Sequence, residues 1–178
     1  ADAPEEMNWI QQGHHYGFPY RFGNQSGKDF RDAPNPPGNI QFTDAIVNYG
    51  PDGGFDGKPI ATFDPHSGPA GLVYLDKEFP PQLADSFLVP RFGNFIRSPK
   101  PNMGFDLLQV RLKKSAESNY TAQVHSLFQG LGRPNDLCIL PGGRLLLNEY
   151  SRATNSTESY DPSGRITEII YERPGAAK

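Results

Sequence analysis

Short apolar runs bounded by turn residues dominate the hydrophobic pattern of this chain. The runs are rich in Val, Ile, Leu, Phe and Tyr and are flanked by Gly, Pro, Asp or Asn, which is typical of strands in an antiparallel fold. No window keeps apolar residues at i, i+3, i+4 and i+7 over three turns, so long helices are not expected. The predicted strands are Ala70–Leu75, Ser86–Pro90, Asp106–Lys113, Asp136–Leu140, Arg144–Glu149 and Arg165–Tyr171.

Turn sequences separate the last three predicted strands. Pro141-Gly142-Gly143 and Asp161-Pro162-Ser163-Gly164 both have the residues of hairpin turns, so the pattern predicts two tight hairpins in succession. Two segments do not fit strands. Residues 24–59 are rich in Pro and Gly and predict a long loop system, and the polar segment Ser151–Tyr160 predicts an exposed insertion.

The strand–turn–strand units recur at roughly the 40–50 residue spacing of a four-stranded propeller blade. At that spacing the chain supplies about three to four blades, and an incomplete ring exposes strand edges at both ends. The sequence therefore predicts an all-β fold, with residues 1–178 forming part of a β-propeller. We expect a missing N-terminal half or a second chain to complete the ring.

Composition and charge restrict the partners. The net charge is −3 and the basic residues are scattered, which argues against binding to nucleic acid or to an anionic membrane. No apolar stretch approaches the ~18 residues that a spanning helix needs, so no membrane span is expected. The single cysteine, Cys138, lies in the apolar run Leu137–Leu140 and is predicted to be a buried, unreactive side chain.

Three local patterns follow one another in the order and spacing of a known family. Together they resemble the second half of the soluble quinoprotein glucose and sorbosone dehydrogenases, which are six-bladed β-propellers that use pyrroloquinoline quinone (PQQ) and calcium. The patterns are Glu5-Glu6-Met7-Asn8 followed by Tyr16-Gly17-Phe18-Pro19, His66-Ser67-Gly68-Pro69-Ala70-Gly71-Leu72 followed by Phe79-Pro80, and Gly132-Arg133-Pro134-Asn135-Asp136 followed by Pro141-Gly142-Gly143.

The resemblance implies a function and a cellular location. It implies part of a periplasmic or secreted oxidoreductase that oxidises an aldose or a similar alcohol and passes the electrons to an external acceptor such as a cytochrome. In this family the general-base histidine belongs to the first half of the propeller. None of the four histidines here matches its motif, so no catalytic residue is assigned in this chain.

The resemblance also implies ligands for the cofactors. PQQ is a tricarboxylate, so fixed cations must meet it, and Arg133 with Asp136 beside it is the first candidate pair. Arg97 and Lys100 are further cations, each of which is as readily explained as a solvated loop charge. His66 is expected to line the substrate pocket or to be a structural hydrogen-bonding group.

Calcium needs several oxygen ligands at once, and an acidic pair near the start of the chain supplies some of them. By the resemblance, Glu6 and Glu5 with the carbonyl of Tyr16 are the predicted calcium ligands, to which Asp29 or Asp32 adds another. Two solvated acids are the alternative interpretation of this pair.

Two other functions remain open at this point. The first is a propeller binding module without chemistry, since one scaffold serves many functions. The second is a calcium-dependent lactonase-type hydrolase, in which Asn135, Asp136, Asn148 and Glu149 surround a central metal ion.

Overall fold

Strands and loops account for the whole described structure, and no helix occurs in it. The computed structural model describes residues 3–23, 25–26, 33–94, 103–115, 119–155 and 163–171. The strands are β1 (Arg21–Phe22), β2 (Gln25–Ser26), β3 (Val47–Pro51), β4 (Val73–Leu75), β5 (Ser86–Arg91), β6 (Asp106–Lys114), β7 (Tyr120–Gln129), β8 (Pro134–Leu140), β9 (Arg144–Glu149) and β10 (Arg165–Ile169). The predicted all-β class is confirmed.

The larger sheet has five strands in the order β3-β7-β6-β5-β4. Strands β4 to β7 form an antiparallel meander, and β3 joins its far edge parallel to β7, with Val47 opposite Thr121. A four-stranded antiparallel meander is the unit of a propeller blade. No closed barrel forms among the described strands.

The second sheet is a three-stranded antiparallel meander in the order β10-β9-β8, and β1 and β2 pair as a separate short ribbon. The predicted hairpin at Pro141–Gly143 is confirmed, because β8 and β9 pair directly across it. The prediction of a second tight hairpin is wrong, because β9 and β10 do pair but a long segment, and not a tight turn, connects Glu149 to its partner Arg165. Residues 150–164 therefore link β9 to β10, and 156–162 lie outside the described residues.

Two hydrophobic cores lie on opposite faces of the five-stranded sheet. Adjacent residues point to opposite faces of a strand, so Leu88 and Val89 belong to different cores, as do Leu107 and Leu108. The first core lies against the segment before β4 and contains Ile46, Phe63, Val89, Leu108, Val110, Ala122 and Val124. The second joins the two sheets and contains Leu75, Phe79, Leu88, Leu107, Leu137, Leu145 and Leu147.

Three sequence expectations about burial and loops are corrected by the structure. Cys138 is exposed rather than buried, because β8 is the edge strand of its sheet and its alternation buries Leu137 instead. In the predicted exposed insertion, Ser151 and Ala153 are both buried. The predicted loop system 24–59 contributes β2 and β3, and its residues 24 and 27–32 lie outside the described part.

Candidate binding cavity

A cavity of about 550 Å³ lies where the N-terminal segment meets the turn before β1 and the loop between β3 and β4. This size falls within the ~300–1,000 Å³ typical of small-molecule sites. Four side chains that the sequence singled out, Glu5, Glu6, Tyr16 and His66, all line it. The full lining is Ala3, Pro4, Glu5, Glu6, Asn8, His15, Tyr16, Gly17, Phe18, Arg21, Phe22, Gly23 and His66.

Backbone pairing holds the acidic segment against the loop that carries His66. The N–H of Glu5 donates to the Phe63 carbonyl at 3.2 Å, and the Phe63 N–H donates back at 3.0 Å. Two residues on, the Met7 N–H donates to Thr62 Oγ1 at 3.0 Å. The segment is thus fixed to a buried part of the protein, and its carboxylates are not those of a free chain end.

The turn from Tyr16 to Pro19 forms the facing wall of the cavity. The Tyr16 hydroxyl donates to the Trp9 carbonyl at 2.7 Å, and the Arg21 N–H donates to the Gly17 carbonyl at 3.0 Å. Gly17 has φ of +126°, and a Cβ there lies 2.7 Å from the Arg21 carbonyl oxygen, so the turn requires glycine. The Tyr-Gly-Phe-Pro pattern therefore has a structural reason in this chain.

Glu5 and His66 interact across the cavity. Burial raises the pKa of the Glu5 carboxyl above its ordinary value of 4.5, and the neighbouring Glu6 adds to the rise. The His66 imidazole and a hydrogen bond from the His66 backbone N–H oppose it by favouring the charged form. Burial and the contacts with His66 thus act in opposite directions on the pKa of Glu5, and the effect of burial is the larger.

The predicted calcium ligands face one cavity but do not form a complete metal site in the described structure. Glu6 Oε2 accepts a hydrogen bond from Asn8 Nδ2 at 2.9 Å, so one of its oxygens already has a protein partner. Across the described ranges, no group of three or more His, Cys, Asp or Glu side chains is arranged to hold a metal ion. Asp29 and Asp32, the additional candidates, lie outside those ranges.

Arg133 lies in the protein interior, away from this cavity. Its guanidinium stacks between two rings, 5.2 Å from the Phe92 centroid and 4.7 Å from the Phe105 centroid. It donates to the carbonyl oxygens of Gly93 at 3.2 Å and Asn94 at 3.4 Å. Only 7% of Arg133 is exposed, so these contacts tie the start of β8 to the chain that leaves β5.

Asp136 is not a partner of Arg133 in the structure. It is exposed, and its Oδ1 accepts the N–H of Leu137 at 2.8 Å. The pairing register shifts between Pro134 and Asp136, and Arg133 has φ of +53°, so the simple alternation that predicted a shared face does not apply. The other two predicted PQQ ligands, Arg97 and Lys100, lie outside the described residues.

The residues expected for a hydrolase metal centre are divided between the two faces of the second sheet, with Asp136 and Asn148 on one face and Glu149 on the other. Asp136 and Asn148 are opposite each other in the β8–β9 ladder and both are exposed. Glu149 is completely buried and accepts from Arg165, through Nε at 2.7 Å and Nη2 at 2.8 Å. Burial alone raises the pKa of Glu149, but hydrogen bonds from Arg165, Thr167 and the Gly132 N–H outweigh it and lower that pKa.

Comparison of the chain with family models, characterised proteins and solved structures gives no match. The helix-free described region likewise offers no apolar helix for a membrane crossing.

Sequence reasoning missed several residues of the cavity. Asn8, His15, Phe18 and Arg21 line it, although Asn8 and Phe18 were quoted only as parts of motifs and His15 and Arg21 were not singled out. Arg21 belongs to none of the motifs, and it reaches the cavity only because the turn at Gly17 folds back on the N-terminal segment. A basic residue two positions after the Tyr-Gly-Phe-Pro turn is the one clue that the sequence contained.

Proposed function

We propose that this chain is part of a sugar-oxidising quinoprotein of the six-bladed β-propeller type, and that the cavity is the part of it that meets the sugar. One observation carries the proposal: Glu5, Glu6 and Tyr16 of the first motif and His66 of the second line a single cavity. Carboxylates and imidazoles recognise hydroxyl groups, and nearby rings pack against the apolar face of a sugar.

The arrangement of the strands supports the propeller part of the proposal. The β4–β7 meander has the four antiparallel strands of a blade, and the β8–β10 meander packs against it through Leu137, Leu145 and Leu147. Blade-on-blade packing through apolar faces is how propellers are assembled. The remaining blades and the general-base histidine belong, in this proposal, to a preceding half or a partner chain.

The residues fit the two proposed cofactors unequally. Glu5, Glu6 and Tyr16 line one cavity, and carboxylate and carbonyl oxygens are the hard ligands that suit calcium. Arg133 as placed does not suit a PQQ carboxylate, because its guanidinium is stacked between two rings and donates to two carbonyl oxygens. We therefore assign no step of the oxidation to Arg133.

A calcium titration followed by thermal unfolding tests the metal part of the proposal. Calcium should raise the Tm, since a ligand that binds only the folded state stabilises it. Glu6→Gln should abolish the rise, and Glu78→Gln, at an exposed acid outside the cavity lining, should retain it. An unchanged Tm for wild type across millimolar calcium contradicts calcium binding here.

A second candidate is a sugar-binding propeller module without oxidation, and the interior position of Arg133 favours it. Absorption spectra distinguish the two. A quinoprotein should show a shifted near-ultraviolet band when PQQ is added and should reduce a dye when an aldose follows. Sugar binding with an unshifted PQQ spectrum, in a preparation that includes the preceding half or partner chain, identifies the binding module instead.

A further inference from the structure

Two buried polar atoms at the cavity have no hydrogen-bond partner in the described structure: Asn8 Oδ1 and Arg21 Nε. One is an acceptor and the other a donor, and both residues line the cavity. Buried polar atoms are nearly always satisfied, so an orphaned donor and acceptor on two residues of one lining call for partners that the described protein groups do not supply.

The surrounding contacts fix both side chains in place. Arg21 Nη1 donates to Asp44 at 2.7 Å, Nη2 donates to the Thr43 carbonyl at 2.8 Å, and the guanidinium lies 5.1 Å from the Phe42 centroid. Each terminal nitrogen thus has a protein acceptor, whereas the buried Nε–H has none among the described groups. Asn8 Nδ2 donates to Glu6, which leaves Oδ1 as the acceptor of that amide.

The charges around these atoms argue for a neutral ligand. The positive charge of Arg21 is already paired with Asp44. Glu5 and Glu6 contribute acidic groups to the same lining, so in the calcium-free protein an anionic ligand meets repulsion from these two carboxylates. A ligand that donates to one group and accepts from another, without carrying charge, is a hydroxylated molecule.

An exposed ring beside these groups completes the recognition surface. Phe18 lines the cavity although 75% of it is exposed, and an edge contact of 5.7 Å to the Phe22 centroid holds it. An aromatic face next to fixed donors and acceptors matches a sugar, which has both apolar C–H faces and hydroxyl edges.

We infer that Asn8 and Arg21 are the hydroxyl-recognising residues of this cavity and that they select a neutral sugar or sugar alcohol over a sugar acid. The inference rests on the proposed function for its ligand class and extends it to named contacts. Asn8 Oδ1 accepts from one hydroxyl of the ligand, Arg21 Nε–H donates to another, and Phe18 packs on the ring or carbon chain.

Calorimetric titration of the wild-type chain with D-glucose, D-glucitol and D-gluconate tests the selectivity without any substitution. In calcium-free buffer, glucose and glucitol should bind, and gluconate should bind at least about tenfold more weakly because of the acidic lining. Gluconate that binds as tightly as glucose overturns the inference. If none of the three binds, the inference falls together with the sugar part of the proposed function.

Two variants test the named contacts. Arg21→Lys keeps a charge beside Asp44 but lacks Nε–H, and Asn8→Leu removes the amide at similar volume. Each should weaken glucose binding by about 3- to 10-fold, the effect of one hydrogen bond. The matched controls are Arg144→Lys, at an exposed ion pair outside the cavity, and Asn135→Leu, whose Oδ1 is also buried and unpartnered. Both controls should bind glucose as wild type does.

The outcomes separate this inference from the proposed function. If glucose binds equally to wild type and to both cavity variants, the inference is wrong while sugar binding stands. If the two cavity variants bind glucose more weakly but the wild-type protein with PQQ and an aldose does not reduce a dye, the inference stands and the proposed oxidoreductase activity is wrong.

Discussion

Replacing Arg133 with Met is the sharpest test of the structure, because sequence and structure predict different results. The sequence predicts a quinone ligand just before a strand, so replacing Arg133 should lower the affinity for the cofactor and barely change the free energy of unfolding. In the structure it is buried, stacked on Phe92 and Phe105, and bonded to the carbonyl oxygens of Gly93 and Asn94. Its removal should therefore cost stability directly.

The magnitude follows from those contacts. Each cation–π contact contributes about 0.5–2 kcal/mol, and hydrogen bonds from a charged donor contribute about 1.5–3 kcal/mol. The two bonds are long, at 3.2 and 3.4 Å, and Met restores some apolar packing while removing a buried charge. We expect a net loss of about 2–4 kcal/mol, a large part of the 5–15 kcal/mol typical of a domain.

Urea unfolding measures this loss. With an m-value of about 2 kcal/mol/M, the Arg133→Met midpoint should fall by about 1–2 M. Arg152→Met, at an exposed arginine, is the matched control and should stay within about 0.5 kcal/mol of wild type. An Arg133→Met protein with the wild-type midpoint refutes the interior role and returns Arg133 to the list of cofactor ligands.

Three further substitutions test other buried contacts. Glu149 has a lowered pKa, so its ionised form stabilises the fold above about pH 4.5 and that stabilisation is lost as pH falls through the lower folded-state pKa. Glu149→Gln should thus lose about 1–3 kcal/mol at pH 7, and its difference from wild type should shrink in acid-titrated urea melts. Gly132→Ala should lose about 1–3 kcal/mol by calorimetry, since the new Cβ lies 1.9 Å from the Ser151 carbonyl oxygen, whereas Gly38→Ala meets open space and should not. Arg91→Met leaves two carboxylates without their partner and should lower stability by about 3–5 kcal/mol in urea titrations; a loss under 1 kcal/mol contradicts a coupled buried network.

The strands that sequence predicted well are those with continuous apolar runs. Strand β9 has the predicted bounds and β6 differs by one residue. The longest strand, β7, was missed because Ala122 and Val124 alternate with the polar Gln123 and His125, and only one face of it is buried. The same alternation explains Cys138, which the apolar neighbours in sequence suggested was buried.

The candidate site was predictable only in part, for physical reasons. The motifs identified Glu5, Glu6 and Tyr16 as neighbours, but the approach of His66 depends on pairing between Glu5 and Phe63 across the fold. Arg133 shows the opposite case. The sequence contains the Gly-Arg-Pro-x-Asp pattern, but the positive φ of Arg133 and the rings of Phe92 and Phe105 place its side chain in the protein interior. The residue types of a motif do not show which way a side chain points.

The parallel pairing of β3 with β7 affects how the chain acquires its structure. The strands β4 to β7 are neighbours in sequence and can zip together through local hairpins, whereas β3 must find a partner more than seventy residues away, with Val47 opposite Thr121. Non-local pairing is slow because loop closure is costly, so β3 should dock last, onto a finished meander. The cavity depends on that docking, because the N–H of Ile46, just before β3, donates a hydrogen bond to the carbonyl of Met7 in the acidic segment. During refolding, the ability to bind a ligand should therefore appear later than the sheet itself. In the folded protein, amide hydrogen exchange should be faster in β3 than in β6.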